Sequence, residues 1–118
     1  MAEPVGSWVA IPTPFSEDEA INFEVFERLV AFHAGNGSSA LLVMGSCGEA
    51  TLLTAEERRR VIDIIAPFAD GKIPVYFGTT CPSTRESIAL TRYAEEMGAD
   101  GVVLTVPPYV TPPQEACL

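Results

Sequence analysis

The sequence predicts an α/β fold built around a parallel sheet. Four short apolar segments alternate with three helical patterns along the 118 residues, at roughly the 30-residue spacing of β-α-β units. None of the apolar segments alternates between apolar and polar side chains, which is typical of parallel strands covered on both faces. Because right-handed crossovers place such strands side by side, either an open doubly wound sheet or a barrel fits. A complete (β/α)8 barrel needs about 250 residues, so this chain would supply nearly half of one.

The individual elements follow from apolar runs and helix-capping signals. Strands are predicted at residues 7–11, 40–44, 75–78 and 101–106. The first helix is predicted over residues 23–34, with Asn22 as its N-cap. The second and third helices begin at capping boxes whose first residues are Thr54 and Ser83. Pro67 is predicted to end or bend the second helix, because proline lacks a backbone N–H and clashes with the preceding turn.

Composition and charge exclude several classes of function. The chain carries 16 acidic and 7 basic residues, a formal net charge of -9, so no nucleic-acid surface is expected. No apolar run approaches the roughly 20 residues that cross a bilayer, so we expect no membrane partner. The N-terminus resembles no signal peptide and the three cysteines form no CxxC motif, so we expect a cytoplasmic protein. With His33 as the single histidine, on a helix face, no metal or cofactor is expected.

Polar residues collect in the loops that follow the predicted strands, where parallel sheets bind their ligands. Residues 45–49 read Gly-Ser-Cys-Gly-Glu, and the glycines allow a tight turn whose N–H groups converge on an anion. Ser46 adds a hydroxyl donor and Cys47 a weaker thiol donor, which suits a carboxylate. The segment lacks the Gly-Lys-Ser/Thr ending of a phosphate-binding loop. The alternative is a glycine-rich connection that binds no ligand.

Four motifs together resemble one enzyme superfamily. They are VAIPTPF at residues 9–15, GSCGEATL at 45–52 with TAEER at 54–58, PVYFG at 74–78 and GVVLTVPPY at 101–109. In order and spacing, the chain is similar to the N-terminal half of the dihydrodipicolinate synthase and N-acetylneuraminate lyase superfamily. This resemblance implies four strands and three helices of a (β/α)8 TIM barrel, and a pyruvate-dependent class I aldolase with lysine biosynthesis as the family default.

The resemblance also assigns roles to individual residues. By position, Ser46 and Cys47 with the Gly48 backbone would hold the carboxylate of pyruvate or a similar 2-oxo acid, and Ser46 would belong to a proton relay. Cys47 stands where the family usually has Ser or Thr. Tyr109 is followed by Val110, whereas the family has a second tyrosine that enters the relay of a neighbouring subunit. Either Tyr109 substitutes for that catalytic tyrosine, or the intersubunit tyrosine has no equivalent in this chain.

The family reaction needs a Schiff-base lysine, which the resemblance places on the sixth strand. The only lysine here, Lys72, precedes the third predicted strand. Strands of four to six residues would separate it from Ser46 by roughly 13–20 Å. We therefore expect residues 1–118 to form a partial TIM-barrel domain, truncated before the fourth helix and inactive alone. The alternative is a non-catalytic half-barrel that binds a small carboxylate or serves as an assembly element. Its unpaired edges predict a homo-oligomer or a missing C-terminal half-barrel as partner.

Two further side-chain groups are assigned structural or solvated roles. Residues 58–60 are three consecutive arginines on the second predicted helix, and we expect all three on a solvated, salt-bridged face. Cys47 and Cys81 follow neighbouring strands, so their sulfurs could approach each other. With no histidine nearby, no metal site is expected there, and in a reducing cytoplasm no disulfide is expected either.

Overall fold

Four strands and three α-helices alternate along the chain, which confirms the predicted order. The computed structural model describes residues 5–107 and 110–117. The elements are β1 (Trp8–Ala10), α1 (Phe23–Gly35), β2 (Ala40–Val43), α2 (Ala55–Ala69), β3 (Val75–Gly78), α3 (Thr84–Glu96) and β4 (Gly101–Val103). Short 3-10 helices follow β2 at Ala50–Leu52 and β4 at Gln114–Cys117. Within the described ranges, no helix is both long and apolar enough to cross a membrane.

The order of the strands distinguishes a barrel from a doubly wound sheet. The sheet runs β1-β2-β3-β4, and each neighbouring pair is parallel. A doubly wound sheet reverses its strand order part-way and carries helices on both faces. Here the order never reverses, and α2 packs against both α1 and α3, so the three helices form one layer. This is the arrangement of four consecutive strands of a (β/α)8 barrel.

The hydrophobic core lies between the sheet and the helical layer. Leu41 and Val43 of β2 and Val75 and Phe77 of β3 are at most 1% exposed. They pack against buried apolar side chains of the helices, chiefly Phe26, Val30, Val61, Ile62, Ile65, Leu90 and Ala94. Burying each large side chain of this kind contributes about 1.5–3 kcal/mol, so this interface is the main source of stability.

The other face of the sheet is only partly covered by the described residues, whereas the sequence predicts strands covered on both faces. This open face carries Trp8, Leu42, Tyr76 and Val103, none of which is fully buried. The rings of Trp8 and Tyr76 stack with their centroids 4.4 Å apart. In a barrel the same face forms the interior, which explains why its side chains are apolar although they are partly exposed here.

Helix capping follows the sequence signals closely, with one difference. Asn22 caps α1, and Thr54 and Glu57 form the predicted capping box at α2. The Thr54 N–H donates to the Glu57 carboxylate at 2.8 Å, and the Glu57 N–H donates to the Thr54 hydroxyl at 3.1 Å. At α3 only half of the box forms, because the Glu86 carboxylate accepts from the Ser83 hydroxyl instead of from its backbone N–H.

Pro67 does not end α2, which continues to Ala69. A proline at this position removes the donor for the carbonyl of Asp63, but it is exposed and the turn around it is held by buried Ala66 and Ala69. The Asp63 carboxylate accepts the hydroxyl of Tyr93 from α3. This hydrogen bond, more than any other contact, raises the pKa of the Tyr93 phenol. The helix therefore continues for two residues past the proline.

Candidate functional site

The carboxyl ends of the four strands bring small polar side chains to one rim. A cleft of about 240 Å³ opens there, and Ser46, Arg58, Thr80 and Thr105 line it together with Val103 of β4. Three of the strands or their following loops contribute to this cleft. The structure thus places Ser46 where ligands bind in parallel α/β folds.

Close backbone contacts determine the shape of the loop after β2. Met44 and Glu49, on either side of the loop, adopt left-handed conformations with φ of 58° and 53°. Gly48 is buried, and a Cβ added to it would meet the Met44 backbone at 3.1 Å and the Thr13 hydroxyl at 3.3 Å. That hydroxyl, itself buried after β1, donates to the Gly48 carbonyl at 2.7 Å. The hydrogen bond from Thr13, which follows β1, therefore fixes the backbone of this loop.

The hydrogen bonds within the loop decide which N–H groups can reach a ligand. The Gly48 N–H donates to the Gly45 carbonyl and the Glu49 N–H to the Ser46 carbonyl, each at 3.1 Å. The N–H groups of Ser46 and Cys47 find no acceptor among the described residues. An anion at this loop would therefore meet the Ser46 and Cys47 donors first, and Gly48 would contribute only by sharing its existing bond.

The structure does not bring all the predicted site residues together. Ser46 and Cys47 are both exposed, but only Ser46 lines the cleft. Tyr109 lies outside the described residues. Lys72 is exposed in the turn that precedes β3, where its ammonium donates to the Phe68 carbonyl. Because the strands are parallel, this turn lies at the end of the sheet opposite Ser46.

Two threonines of the cleft were not singled out from the sequence. Thr80 follows β3 and Thr105 follows β4, and the Thr105 N–H donates to the Thr80 hydroxyl at 2.8 Å. The hydroxyl groups of the two residues are 3.3 Å apart. For Thr80 the available signal was its position just after the predicted strand 75–78, whereas Thr105 lay inside the predicted strand 101–106, because the structure ends β4 at Val103. They extend the polar surface that begins at Ser46.

Arg58 is not solvated, contrary to the expectation for residues 58–60. It is 6% exposed, and its Nη2 donates to the Gly78 carbonyl at 3.0 Å while Nη1 donates to the Cys81 sulfur at 3.1 Å. The reason is helical spacing: Arg58 precedes Val61 and Ile62 by three and four residues, so it shares their buried face. It is the charged side chain of the cleft, and its Nε has no partner within the described part of the chain.

No cluster of three or more potential metal ligands occurs in residues 5–107 and 110–117. Cys47, Cys81 and Cys117 are free thiols. His33 lies on α1, with its Nδ1 3.1 Å from the Ser38 hydroxyl. The helix ends at Gly35, just before the amino end of β2, whereas the cleft lies at the carboxyl ends of the strands. The rim therefore offers hydroxyl groups, backbone N–H donors and one guanidinium, a set suited to a small organic anion.

Comparison with known proteins identifies the family. The model of the dihydrodipicolinate synthetase family matches residues 3–118, almost the whole chain. The chain belongs to the dihydrodipicolinate synthetase family. It is 46% identical over 110 residues to a 4-hydroxy-tetrahydrodipicolinate synthase of Nitrosococcus oceani, covering 93% of this chain and 38% of that protein. A 4-hydroxy-tetrahydrodipicolinate synthase of Aquifex aeolicus is 44% identical over 109 residues, which are 92% of this chain and 37% of the relative.

Solved structures of the family superpose closely on this chain. The dihydrodipicolinate synthase of Aquifex aeolicus has a TM-score of 0.90 and 42% identity, covering 95% of this chain and 38% of that one. The chloride-inhibited dihydrodipicolinate synthase of Acinetobacter baumannii, solved with pyruvate, has a TM-score of 0.89 and 40% identity over the same shares. This chain thus spans less than two fifths of these dihydrodipicolinate synthases and corresponds to part of their TIM barrel.

Proposed function

We propose that this chain is the N-terminal part of a lyase of the 4-hydroxy-tetrahydrodipicolinate synthase type, and that it supplies the carboxylate-binding rim of a barrel that acts on pyruvate. The observation that carries this proposal is the loop at residues 45–49, where Ser46 lines the cleft at the carboxyl ends of the strands and the N–H groups of Ser46 and Cys47 have no acceptor among the described residues. Family relatives solved with pyruvate support the choice of ligand. The cytoplasm is the compartment we propose, because its reducing conditions suit the three free thiols.

The pyruvate carboxylate is the group that this loop would bind. The N–H groups of Ser46 and Cys47 would donate to its two oxygens, and hydrogen bonds to a charged group contribute about 1.5–3 kcal/mol each. Gly48 would hold the turn and share its N–H. The buried guanidinium of Arg58 lines the same cleft and adds a favourable positive potential.

The proposed chemistry joins pyruvate to an aldehyde through a Schiff base. A lysine amine attacks the pyruvate ketone, water leaves, and the imine loses a proton from the methyl carbon to give an enamine that adds to the aldehyde carbon. Ser46 and Tyr109 would transfer the protons. Lys72 lies at the wrong end of the sheet, so the amine would come from the remaining part of the barrel and this chain alone would be inactive.

A second candidate function is a non-catalytic half-barrel that binds a small carboxylate. The position of Lys72 favours it, because no other amine-bearing side chain exists in this sequence. Both functions use the same loop, but they differ in whether the chain takes part in covalent chemistry. Trapping of the Schiff base distinguishes them.

Borohydride reduction in the presence of pyruvate is expected to leave the chain unmodified when it is alone. When the C-terminal part of the Aquifex aeolicus relative is fused to it, a reduced pyruvate adduct should form on a lysine of the added part. Peptide mass spectrometry locates the adduct, and Lys72→Arg is the matched control that should change nothing. An adduct on Lys72 in the lone chain would contradict the assigned geometry. A folded fusion that forms no adduct would favour the non-catalytic half-barrel.

The open face predicts that the lone chain self-associates. Among the described residues β1 and β4 each pair with one strand, and beyond β4 the side chains of Leu104 and Val106 are 55% and 64% exposed. We propose that a second copy or the missing half of the barrel covers this face. Sedimentation velocity at micromolar concentration should detect dimers or larger species. Trp8→Ser should weaken them, whereas Arg85→Ser, at an exposed position of α3, should not; a stable monomer contradicts the expectation.

A further inference from the structure

Two threonines that follow β3 and β4 form a polar pair in the cleft that contains Ser46. Thr80, which is half-buried, and Thr105, which is exposed, both line this cleft of about 240 Å³. Val103, two residues before Thr105, is the apolar side chain that lines the cleft from β4. Ser46 belongs to the loop after β2, so the cleft has two polar parts that come from different strands. One is the loop at residues 45–49, and the other is the threonine pair.

The hydrogen bonds between the two threonines determine what the pair can offer to a ligand. The Thr105 N–H donates to the Thr80 Oγ1 at 2.8 Å, and the Thr105 hydroxyl donates to the same oxygen at 3.3 Å. A hydroxyl oxygen has two lone pairs and one hydrogen, so both acceptor positions of Thr80 are in use and its hydrogen remains. Within the described ranges, nothing accepts that hydrogen and nothing donates to the Thr105 hydroxyl oxygen. The pair therefore presents one O–H donor, on Thr80, beside one free acceptor, on Thr105.

One donor beside one acceptor does not match every polar group that a second substrate can carry. A carboxylate only accepts hydrogen bonds and would need two donors, whereas an ammonium only donates them and would need two acceptors. A carbonyl oxygen that becomes a hydroxyl group uses both members of the pair in turn, because it first accepts a hydrogen bond and afterwards can also donate one. The aldehyde oxygen undergoes this change when an enamine adds to the aldehyde carbon.

We propose that Thr80 and Thr105 bind the aldehyde oxygen of the second substrate, and that the Thr80 hydroxyl donates to it while the carbon–carbon bond forms. This inference rests on the proposed lyase function. The enamine carbon attacks the aldehyde carbon, the nitrogen returns to an imine, and the π electrons of the C=O bond move to the oxygen. A donor already in place beside that developing negative charge stabilises the transition state. The oxygen then takes up one proton, which balances the proton lost from the pyruvate methyl carbon, and the new hydroxyl can donate to Thr105.

Substitution by valine tests the pair, because valine keeps the shape of threonine and removes the hydroxyl. The protein is the fusion with the C-terminal part of the Aquifex aeolicus relative, and L-aspartate 4-semialdehyde is the aldehyde probe. For Thr80→Val, kcat for condensation should fall about 10²-fold, a typical loss when one such donor is removed. Thr105→Val keeps the N–H that donates to Thr80, and its kcat should fall about 2- to 10-fold. Thr84→Val, at an exposed position of α3 outside the cleft, should change nothing.

Pyruvate alone provides a readout that separates this role from a merely structural one. In D2O the fusion should exchange the methyl protons of pyruvate through the enamine, and no aldehyde takes part in that step. Both valine variants should therefore exchange these protons at the unsubstituted rate. Thr80→Ser, which keeps the hydroxyl, should recover most of the condensation rate. If Thr80→Val does not fold, Thr105→Val carries the same comparison.

The two half-reactions distinguish the possible failures. If the unsubstituted fusion forms no borohydride adduct and exchanges no protons, the lyase function itself is contradicted. Normal exchange with full condensation in Thr80→Val, or with no condensation in the unsubstituted fusion, overturns only the assignment to the aldehyde oxygen. Equal losses of exchange and condensation would place the pair at pyruvate, and a raised KM for the aldehyde with unchanged kcat would place it at another group of the aldehyde. Both of these results also contradict the assignment.

Discussion

Gly78→Ala is expected to destabilise the chain by about 3 kcal/mol or more, which would lower Tm by roughly 10–20 °C. An added Cβ would lie 2.0 Å from the Met44 carbonyl oxygen and 2.8 Å from its carbon, at the point where β2 and β3 end. Backbone atoms cannot rotate away as a side chain can, so the two strands would have to separate. The Gly78 carbonyl also accepts from Arg58, and that contact would move with it.

Gly35→Ala is the matched control for this prediction. Gly35 is the last residue of α1, its φ is not positive, and an added Cβ would meet no atom within 4 Å. Alanine there should leave stability unchanged or raise it by about 0.4–1 kcal/mol, because it restricts the unfolded chain. Urea unfolding of both variants gives the two free energies on one scale. If Gly78→Ala unfolds at the same urea concentration as Gly35→Ala, the close approach of β2 and β3 is wrong.

The order and type of the elements could be predicted from the sequence because they depend on local signals. The Thr54 capping box is contained within one segment of the chain, and the structure confirms it. Element ends were less accurate: β4 stops at Val103 rather than at residue 106, since pairing with β3 ends at Gly78. Register and length depend on the neighbouring strand, which local sequence does not describe.

The burial of Arg58 could not be predicted from its residue type alone. Its spacing from Val61 and Ile65 places it on the buried face of α2, but three consecutive arginines suggested a solvated surface. What makes the burial possible is the Gly78 carbonyl and the Cys81 sulfur, which come from a strand end twenty or more residues away. Long-range acceptors of this kind are visible only in the folded chain.

The position of Ser46 at the carboxyl ends of the strands was predictable, but the hydrogen bonding of its loop was not. Position after a strand placed Ser46 at the carboxyl rim, and the structure agrees. The sequence did not reveal that the Gly48 N–H is already bonded to the Gly45 carbonyl, because that depends on the backbone angles of the turn. It also did not distinguish the cleft-lining Ser46 from Cys47, its exposed neighbour. We assign proton transfer to the Ser46 hydroxyl and only a backbone N–H contact to Cys47, and substitutions of the two side chains can distinguish these roles.

Ser46→Ala is expected to lower kcat about 10²–10³-fold in a fusion of this chain with the C-terminal part of the Aquifex aeolicus relative, a typical loss when a proton-transfer group is removed. The substitution retains the backbone N–H, so binding of the pyruvate carboxylate, and with it KM for pyruvate, should change little. The borohydride-trapped adduct should still form, because the backbone N–H groups would still hold the pyruvate carboxylate while the imine forms.

Cys47→Ser provides the matched control within the same loop. It also retains the backbone N–H and replaces a weak thiol donor by a hydroxyl, so kcat should stay near the unsubstituted value. A large rise in KM for Ser46→Ala with kcat unchanged would show that the hydroxyl binds the carboxylate and does not move protons. An equal loss of kcat in both variants would contradict the distinction drawn from the cleft. Only the combination of a kcat loss at Ser46 and near-neutral behaviour at Cys47 supports a proton-transferring serine held between two carboxylate-binding N–H groups.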